Sequence, residues 1–456
     1  MEDIEKSLIA QRKFFAGGHT RDISFRLETL KKLKGLIDKY EPEIINALKL
    51  DLGRSGYESF ISENVVAFDE INAAVANLKK WAGPKSVATP LQLFRSKSQI
   101  IYEPLGLVLI ISPWNFPFHL TFAPLAGAIA AGNCCIIKPS ETSPYSSKVI
   151  AKIINDNFPS GHLLVHEGGH EVTQSLLQFR FDHLFFTGST AHGTEIYKMA
   201  AANLTPVTME LGGKCPCIVE PGINIKTAAK RIAWGKFINA GQTCLAPDYL
   251  LVNKKIAGQF LQTFTATIES FFGGTPLTNE DWPRMVNKHH FNRVAGLLNS
   301  GKVIYGGNLD AKTFKIEPTI LSEVSAQSPI MREEIFGPIL PVIEYDELDE
   351  AFAIINSLSK PLVAYAFTEN DNVKARIINE TSSGAVSFNE CLMHGANGNL
   401  PFGGVGDSGM GRYHHRFSFE TFSNAKSVFS RSFWPDPNFR YPPYQGKDTG
   451  FIKKFI

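Results

Sequence analysis

The sequence predicts an α/β protein: two doubly wound α/β domains with a small β-rich arm beside them. Three observations carry this expectation. Short apolar strand signals alternate with helix-period segments over 105–210, and a second alternation fills 215–390. The turn Gly188-Ser189-Thr190 stands between an apolar strand and a helix, where a parallel sheet can present a helix N-terminus to an anion. At 456 residues, the chain also exceeds what one hydrophobic core usually supports.

Taken in order, residues 1–80 read as helical. Leu27, Leu30, Leu33 and Ile37 recur at helix spacing, as do Val65, Phe68, Ile71 and Val75, and Gly53 and Gly56 separate the two patterns. Pro84 and Pro90 bracket a segment without helix period, followed by the strand-prone Gln99-Ile-Ile-Tyr102, so 83–103 is expected to be an extended arm. Strand 105–112 is closed by Pro113, and a small-residue helix at 124–131 is ended by Gly132-Asn133. Strand 134–138 and helix 144–157, with proline in its first turn, come next. Strands 163–166, 183–187 and 205–210 then alternate with helices 170–178 and 191–202.

The second alternation begins with strand 217–220, helix 226–238 and strand 249–252. Helices 256–272 and 284–299, strands 302–305 and 317–321, and helix 347–356 follow. Strand 363–367, helix 371–378 and strand 385–388 complete it. From 395 to Gly411 glycine is so frequent that a close-packed loop is expected. The chain thus divides into one domain of residues 1–82 and 104–210, a second of 211–395, and an arm and tail of 83–103 and 396–456.

Composition narrows the function classes. With 46 basic and 44 acidic side chains the formal net charge is +2, which gives no electrostatic case for nucleic acid. The N-terminus Met1-Glu-Asp-Ile-Glu-Lys has neither a basic nor an apolar leader region. The apolar runs near 105–111 and 122–131 are too short to cross a bilayer, and the terminal Phe451-Ile-Lys-Lys-Phe-Ile is split by lysines. A cytoplasmic protein without membrane attachment is expected. Six cysteines in a chain of this length do not form a disulfide scaffold, and adjacent Cys134 and Cys135 should point to opposite faces of a strand. Cys215-Pro-Cys217 has no second Cys/His pair near it, so no metal site is expected.

The chemistry is expected around Cys244. A helix-period segment (Ala229, Ile232, Ala233, Phe237) runs into Asn239-Ala-Gly-Gln-Thr-Cys244, and Pro247 follows, so the helix should end before the cysteine and leave it on a turn. A thiol held there can act as a nucleophile once ionised. Asn115 follows the strand that Pro113 closes, where its carboxamide, with the Cys244 N–H, could bind an oxyanion. Glu210 ends an apolar strand just before Gly212-Gly213, where burial raises a carboxyl pKa and suits it to taking a proton from water. Considered singly, each has a plain structural reading: a buried small hydrophobe, an Asx-turn, a surface strand end.

Their company changes that. Pro113-Trp-Asn-Phe-Pro117, Met209-Glu-Leu-Gly-Gly-Lys214, Gly241-Gln-Thr-Cys244 and Glu333-Glu-Ile-Phe-Gly-Pro338, in this order, resemble the aldehyde dehydrogenase superfamily. Leu400-Pro-Phe-Gly-Gly-Val-Gly-Asp-Ser-Gly-Met-Gly-Arg-Tyr-His414 and Phe417-Ser-Phe-Glu-Thr-Phe-Ser423 are similar to its class 3, fatty-aldehyde branch. The resemblance spans essentially the whole chain. It implies a Rossmann-like cofactor domain and a catalytic domain, with Cys244 as nucleophile, Glu210 as deacylating base and Asn115 as oxyanion donor. In the cofactor domain it implies that Gly188, Ser189 and Gly193 form the phosphate turn, where Thr190 replaces the middle glycine of the usual fingerprint. Lys138 and Glu141 would contact the adenosine ribose, and Glu334 and Phe336 the nicotinamide side. An acidic Glu141 disfavours a 2′-phosphate, so NAD is expected, with NADP possible in this branch. Tyr413 and His414 would support the site, and the protein would be a homodimer. Phe116 and Phe118 suggest an apolar entrance and medium-chain or aromatic aldehydes. Two alternatives stay open: a CoA-acylating member, against which Glu210 counts, and a non-catalytic protein of the same fold.

Overall fold

The computed structural model describes residues 2–453; Met1 and the last three residues of the terminal Phe451–Ile456 stretch lie outside that range. Five α-helices, with a 3-10 turn at His19–Arg21 and a π-helical turn at Phe60–Asn64 among them, occupy 2–81, ending in the long helix Val65–Trp81. The arm follows as β1 (Lys85–Val87) and β2 (Ser96–Pro104). The first alternation holds β3 (Leu107–Ile111), β4 (Cys134–Lys138), β5 (Leu163–Val165), β6 (His183–Thr187) and β7 (Val207–Glu210). The second begins with β8 (Pro216–Val219), β9 (Tyr249–Asn253) and β10 (Lys302–Tyr305), then the small pair β11 (Leu309–Asp310) and β12 (Lys315–Ile316). It continues with β13 (Thr319–Ser322), β14 (Ile339–Tyr345), β15 (Val363–Phe367) and β16 (Ala385–Phe388), before β17 (Gly409–Met410) and β18 (Ser423–Arg431).

The first sheet has the order β17-β7-β6-β3-β4-β5, parallel except for β17. The chain adds β4 and β5 on one side of β3 and then β6 and β7 on the other, so the strand order reverses between β3 and β6, the switch point at which such sheets open a crevice past their carboxyl ends. Alternate residues of β3 serve two cores: Val108 and Ile110 join a cluster with Phe122 and Ile71, whereas Leu107 and Leu109 join one with Leu184 and Leu8. Cys134 and Cys135 divide between the same two clusters, as the strand alternation requires. Helices therefore cover both faces, and the fold is doubly wound as expected. The second sheet, β10-β13-β14-β9-β8-β15-β16, is parallel except at its β10 edge.

Several boundaries differ from the sequence reading. The helix placed at 124–131 begins at His119 and carries Pro124 inside it; it is buried all round, so no amphipathic period marks its start. Strand β14 was not expected, because Pro341 interrupts a run that nonetheless lies between β13 and β9. The glycine-rich stretch 395–411 is mostly loop, with short 3-10 turns and the two residues of β17; beyond it, helix His415–Thr421 leads into β18, which pairs antiparallel with β2 over nine residues. Strand β18 is mostly polar and exposed, so no apolar alternation announces it. No helix among the described residues is long and apolar enough to cross a membrane.

Candidate active site

A cavity of about 920 Å³ opens among the segments that follow β3, β6 and β7 and the loop carrying Cys244. Asn115, Gly188, Ser189, Glu210, Cys244, Glu334 and Phe336 all line it. These seven were singled out from sequence positions more than two hundred residues apart.

Cys244 reaches the cavity through a strained turn. Helix Ile225–Phe237 ends, and Asn239, Ala240 and Gly241 follow with φ near +52°, +51° and +74°. Asparagine tolerates that region because its amide can bond locally; here Asn239 Nδ2 donates to the carbonyls of Asn115 (3.0 Å) and Gln242 (3.2 Å). The reversal leaves Cys244 half-buried on a non-helical turn. Burial pushes its thiol pKa up, and the nearby Glu334 and Glu210 carboxylates push the same way. The N–H groups of Cys244 and Leu245 reach the sulfur and oppose the shift.

Asn115 is buried, and its Nδ2 donates to the Gln242 carbonyl at 3.1 Å. A carboxamide nitrogen has two hydrogens, so one N–H remains for the cavity. Glu210 is also buried, and among the described residues neither of its side-chain oxygens has a hydrogen-bond partner. Burial raises its pKa well above the usual carboxylate value; Arg412 works weakly against this. Gly403 comes so near that a Cβ there would lie 2.9 Å from Glu210 Oε1, so backbone, rather than side chain, walls this acid.

Glu334 also lines the cavity. Its pKa is pushed up to about 8 by burial, with Asp248 adding to the shift and the Gly213 N–H reducing it. A side chain at Gly212 is sterically excluded, since its Cβ would fall 1.9 Å from Glu334 Oε2. The loop is fixed by Asp248, which is ion-paired with Lys214 and accepts the Ile335 N–H at 2.9 Å. Lys214 Nζ also donates to the carbonyls of Ile330 (2.8 Å) and Glu333 (3.0 Å). Phe336, at φ +49°, packs edge-on to Trp114 with ring centres 5.3 Å apart.

The turn Gly188-Ser189-Thr190 has Ser189 as N-cap of helix Thr190–Ala202, accepting from the His192 N–H. Gly193 packs against Leu211, where a Cβ would lie 2.6 Å from its Cδ2. Lys138 ends β4 and Glu141 follows it, both off the lining of the cavity, with Lys138 Nζ 2.9 Å from Glu141 Oε2. Phe116 lines the cavity, but Phe118 turns into the core, so only the first forms part of an apolar wall. Tyr413 and His414 also line it, and His414 Nδ1 lies 3.0 Å from the buried Glu70 carboxylate. Among the described residues no cluster could hold a metal ion; the Cys215 thiol instead donates to the Cys244 carbonyl at 3.4 Å.

Sequence reasoning missed a set of charged residues behind the site. Arg54 and Glu63 are fully buried and ion-paired, and Glu58 accepts the Asn239 N–H at 2.8 Å. The available signal was a glutamate set within the apolar run Phe60-Ile-Ser-Glu-Asn-Val-Val66.

The aldehyde dehydrogenase family pattern matches residues 1–428 of the chain. A 4,4'-diaponeurosporen-aldehyde dehydrogenase of Staphylococcus aureus is 47% identical over 458 residues, covering 100% of each chain. A rat protein named aldehyde dehydrogenase, dimeric NADP-preferring, is 42% identical, covering 98% of this chain and 99% of its own. A solved substrate-bound structure of Staphylococcus aureus AldH superposes with a TM-score of 0.96 at 47% identity, covering 99% of both chains.

Proposed function

Because the chain belongs to the aldehyde dehydrogenase family, and so oxidises aldehydes to carboxylic acids with NAD(P), we propose that Cys244, Asn115 and Glu210 carry that reaction. One observation carries the assignment: a thiol, a carboxamide with a spare N–H and a buried carboxylate without partners share a single cavity.

In this reading Cys244 gives its thiol proton to the Glu210 carboxylate, which passes it on to solvent before the second half-reaction, and the sulfur adds to the aldehyde carbon. The oxyanion is bound by Asn115 Nδ2 and the Cys244 N–H, donors already fixed before reaction. A nicotinamide held beside Glu334 and Phe336 would supply the hydride acceptor. Cys244 is left as a thioester. Glu210 takes a proton from water, the hydroxide adds to the thioester carbon, and the carbon–sulfur bond breaks to release the acid. A carboxyl with a raised pKa is suited to this near neutral pH.

The chain's own residues fit the cofactor. The N-terminus of helix Thr190–Ala202 faces the cavity, and its first N–H groups lack intrahelical acceptors and favour a phosphate. Glu334, beside the side-chain-free Gly212, would hold the nicotinamide-side ribose, and Phe336 would flank the ring. Lys138 offsets the charge of Glu141 by pairing with it, which supports use of NADP alongside NAD. Apolar walls at Ile61, Val65, Phe116, Leu120 and Leu245 support medium-chain or aromatic aldehydes, and the carotenoid aldehyde in the Staphylococcus aureus relative's name marks the long end of the range to test. The division into domains 1–82 with 104–210 and 211–395 is supported by the two separate sheets. A homodimer in the cytoplasm completes the reading, supported by the rat relative's name and by exposed residues on the β1-β2-β18 sheet.

The test is NADH formation from a panel of aldehydes without CoA. Cys244→Ala should lower turnover by about a thousandfold or more while NAD still binds. Glu210→Gln should let a thioester accumulate on the protein, visible by mass spectrometry. Full turnover in the first variant, or a normal steady-state rate with no trapped acyl group in the second, would remove that residue from its role.

A further inference from the structure

We propose that Arg54 is a positioning residue that holds the Asn115 carboxamide in register with Cys244; this rests on the reading of Asn115 as oxyanion donor. Arg54 is wholly buried, an uncommon place for a guanidinium. Its Nη2 donates to the Asn115 carbonyl at 2.7 Å and lies 3.2 Å from Glu63 Oε1, while Nη1 donates to Ser62 Oγ at 3.0 Å. The guanidinium carbon stacks 4.7 Å from the centre of the Phe116 ring. Glu63 grips the other end of the same bend, its Oε2 accepting the N–H groups of Phe118 (3.1 Å) and His119 (2.7 Å).

The bend 115–119 is therefore held at its carbonyl by the cation and at its amides by the anion. Asn239 adds a second donor to the Asn115 carbonyl at 3.0 Å. Two donors on one carbonyl fix the peptide plane and with it the direction in which the Asn115 side chain leaves the backbone. Its terminal rotation is then set by the bond to Gln242, two residues before Cys244. Both side-chain partners of Arg54 come from one short stretch, since Ser62 and Glu63 lie in the π-helical turn Phe60–Asn64, a rare geometry that often accompanies functional sites. A buried ion pair adds little stability over an apolar pair of the same size. Its distinctive product is fixed geometry, delivered here to the backbone of the proposed oxyanion donor.

The test compares the wild type with R54Q/E63Q, which removes both charges of the buried pair, with R54K, and with each change combined with Asn115→Ala. The readouts are the single-turnover rate of NADH formation at saturating NAD and aldehyde, KM for NAD, and the rate of Cys244 alkylation by iodoacetamide. R54Q/E63Q should slow the single turnover by about tenfold to a hundredfold, with KM for NAD and alkylation unchanged. R54K, which keeps the charge but not the planar fork, should fall between the two, and it carries the comparison if the charge-free pair does not fold. In the Asn115→Ala background neither change should cost anything further. Wild-type rates in R54K and the charge-free pair, or the same fold-loss with and without Asn115, would overturn the inference. An Asn115→Ala protein as fast as wild type would instead overturn the reading of Asn115 itself.

Discussion

Glu334 shows how surroundings set a side chain's charge. Its folded pKa of about 8 lies above the ordinary 4.5, chiefly through burial. A raised carboxyl contributes stability that is fully present below the unfolded pKa and is lost as pH rises through the folded one. Glu334→Gln should therefore melt higher than wild type near pH 9 and lose that advantage towards pH 5, measured by thermal unfolding at both values; a gap independent of pH would contradict the shift. Glu210, shifted the same way, should give deacylation that slows as pH falls, a dependence that Glu210→Gln should remove. Glu210 was visible in the sequence because it ends an apolar strand before two glycines, and Glu334 only because Glu333–Pro338 resembles a family motif. Arg54 and Glu63 were not, because their partners on the 115–119 bend are more than fifty residues away.

At the scale of elements, the loop carrying Glu334 owes its position to an ion pair rather than to its own conformation. Asp248, just before β9, holds both Lys214 and the Ile335 N–H. Asp248→Ala would leave the Lys214 ammonium buried without its charge partner and should cost about 3–5 kcal/mol, measured by chemical denaturation. It should also raise KM for the cofactor, since Glu334 loses its anchor. Unchanged cofactor KM in a folded variant would show that the loop is held some other way. The elements most faithfully anticipated are short apolar strands, β4, β6, β10, β15 and β16, whose bounds match the sequence reading residue for residue. β14 and β18 escaped notice because one carries a proline and the other is polar, and each is a strand only because its neighbours pair with it.

Across the described residues, the three larger of four sheets divide the work: one presents the Gly188-Ser189-Thr190 turn and Asn115, one leads into the Cys244 loop, and the three-stranded sheet joins 85–104 to 423–431. All three residues of β1 and most of β18 are exposed in the single chain, and Phe94, Phe429 and Trp434 add large exposed apolar surface nearby. Sedimentation equilibrium should give twice the 50.4 kDa chain mass, and removal of 423–456 should abolish the association. A full-length chain that sediments as a monomer would exclude the dimer.

The sequence by itself determined the alternating strand and helix pattern, the glycine turns and the identity of the residues offered to chemistry, because these depend on local periodicity and on residue type. Only the tertiary structure decided that Asn115, Glu210, Cys244 and Glu334 face one cavity, that Phe118 does not, and that a buried arginine grips the Asn115 carbonyl. Those outcomes depend on contacts between distant segments, where burial and pairing, rather than neighbouring residues, set direction and charge.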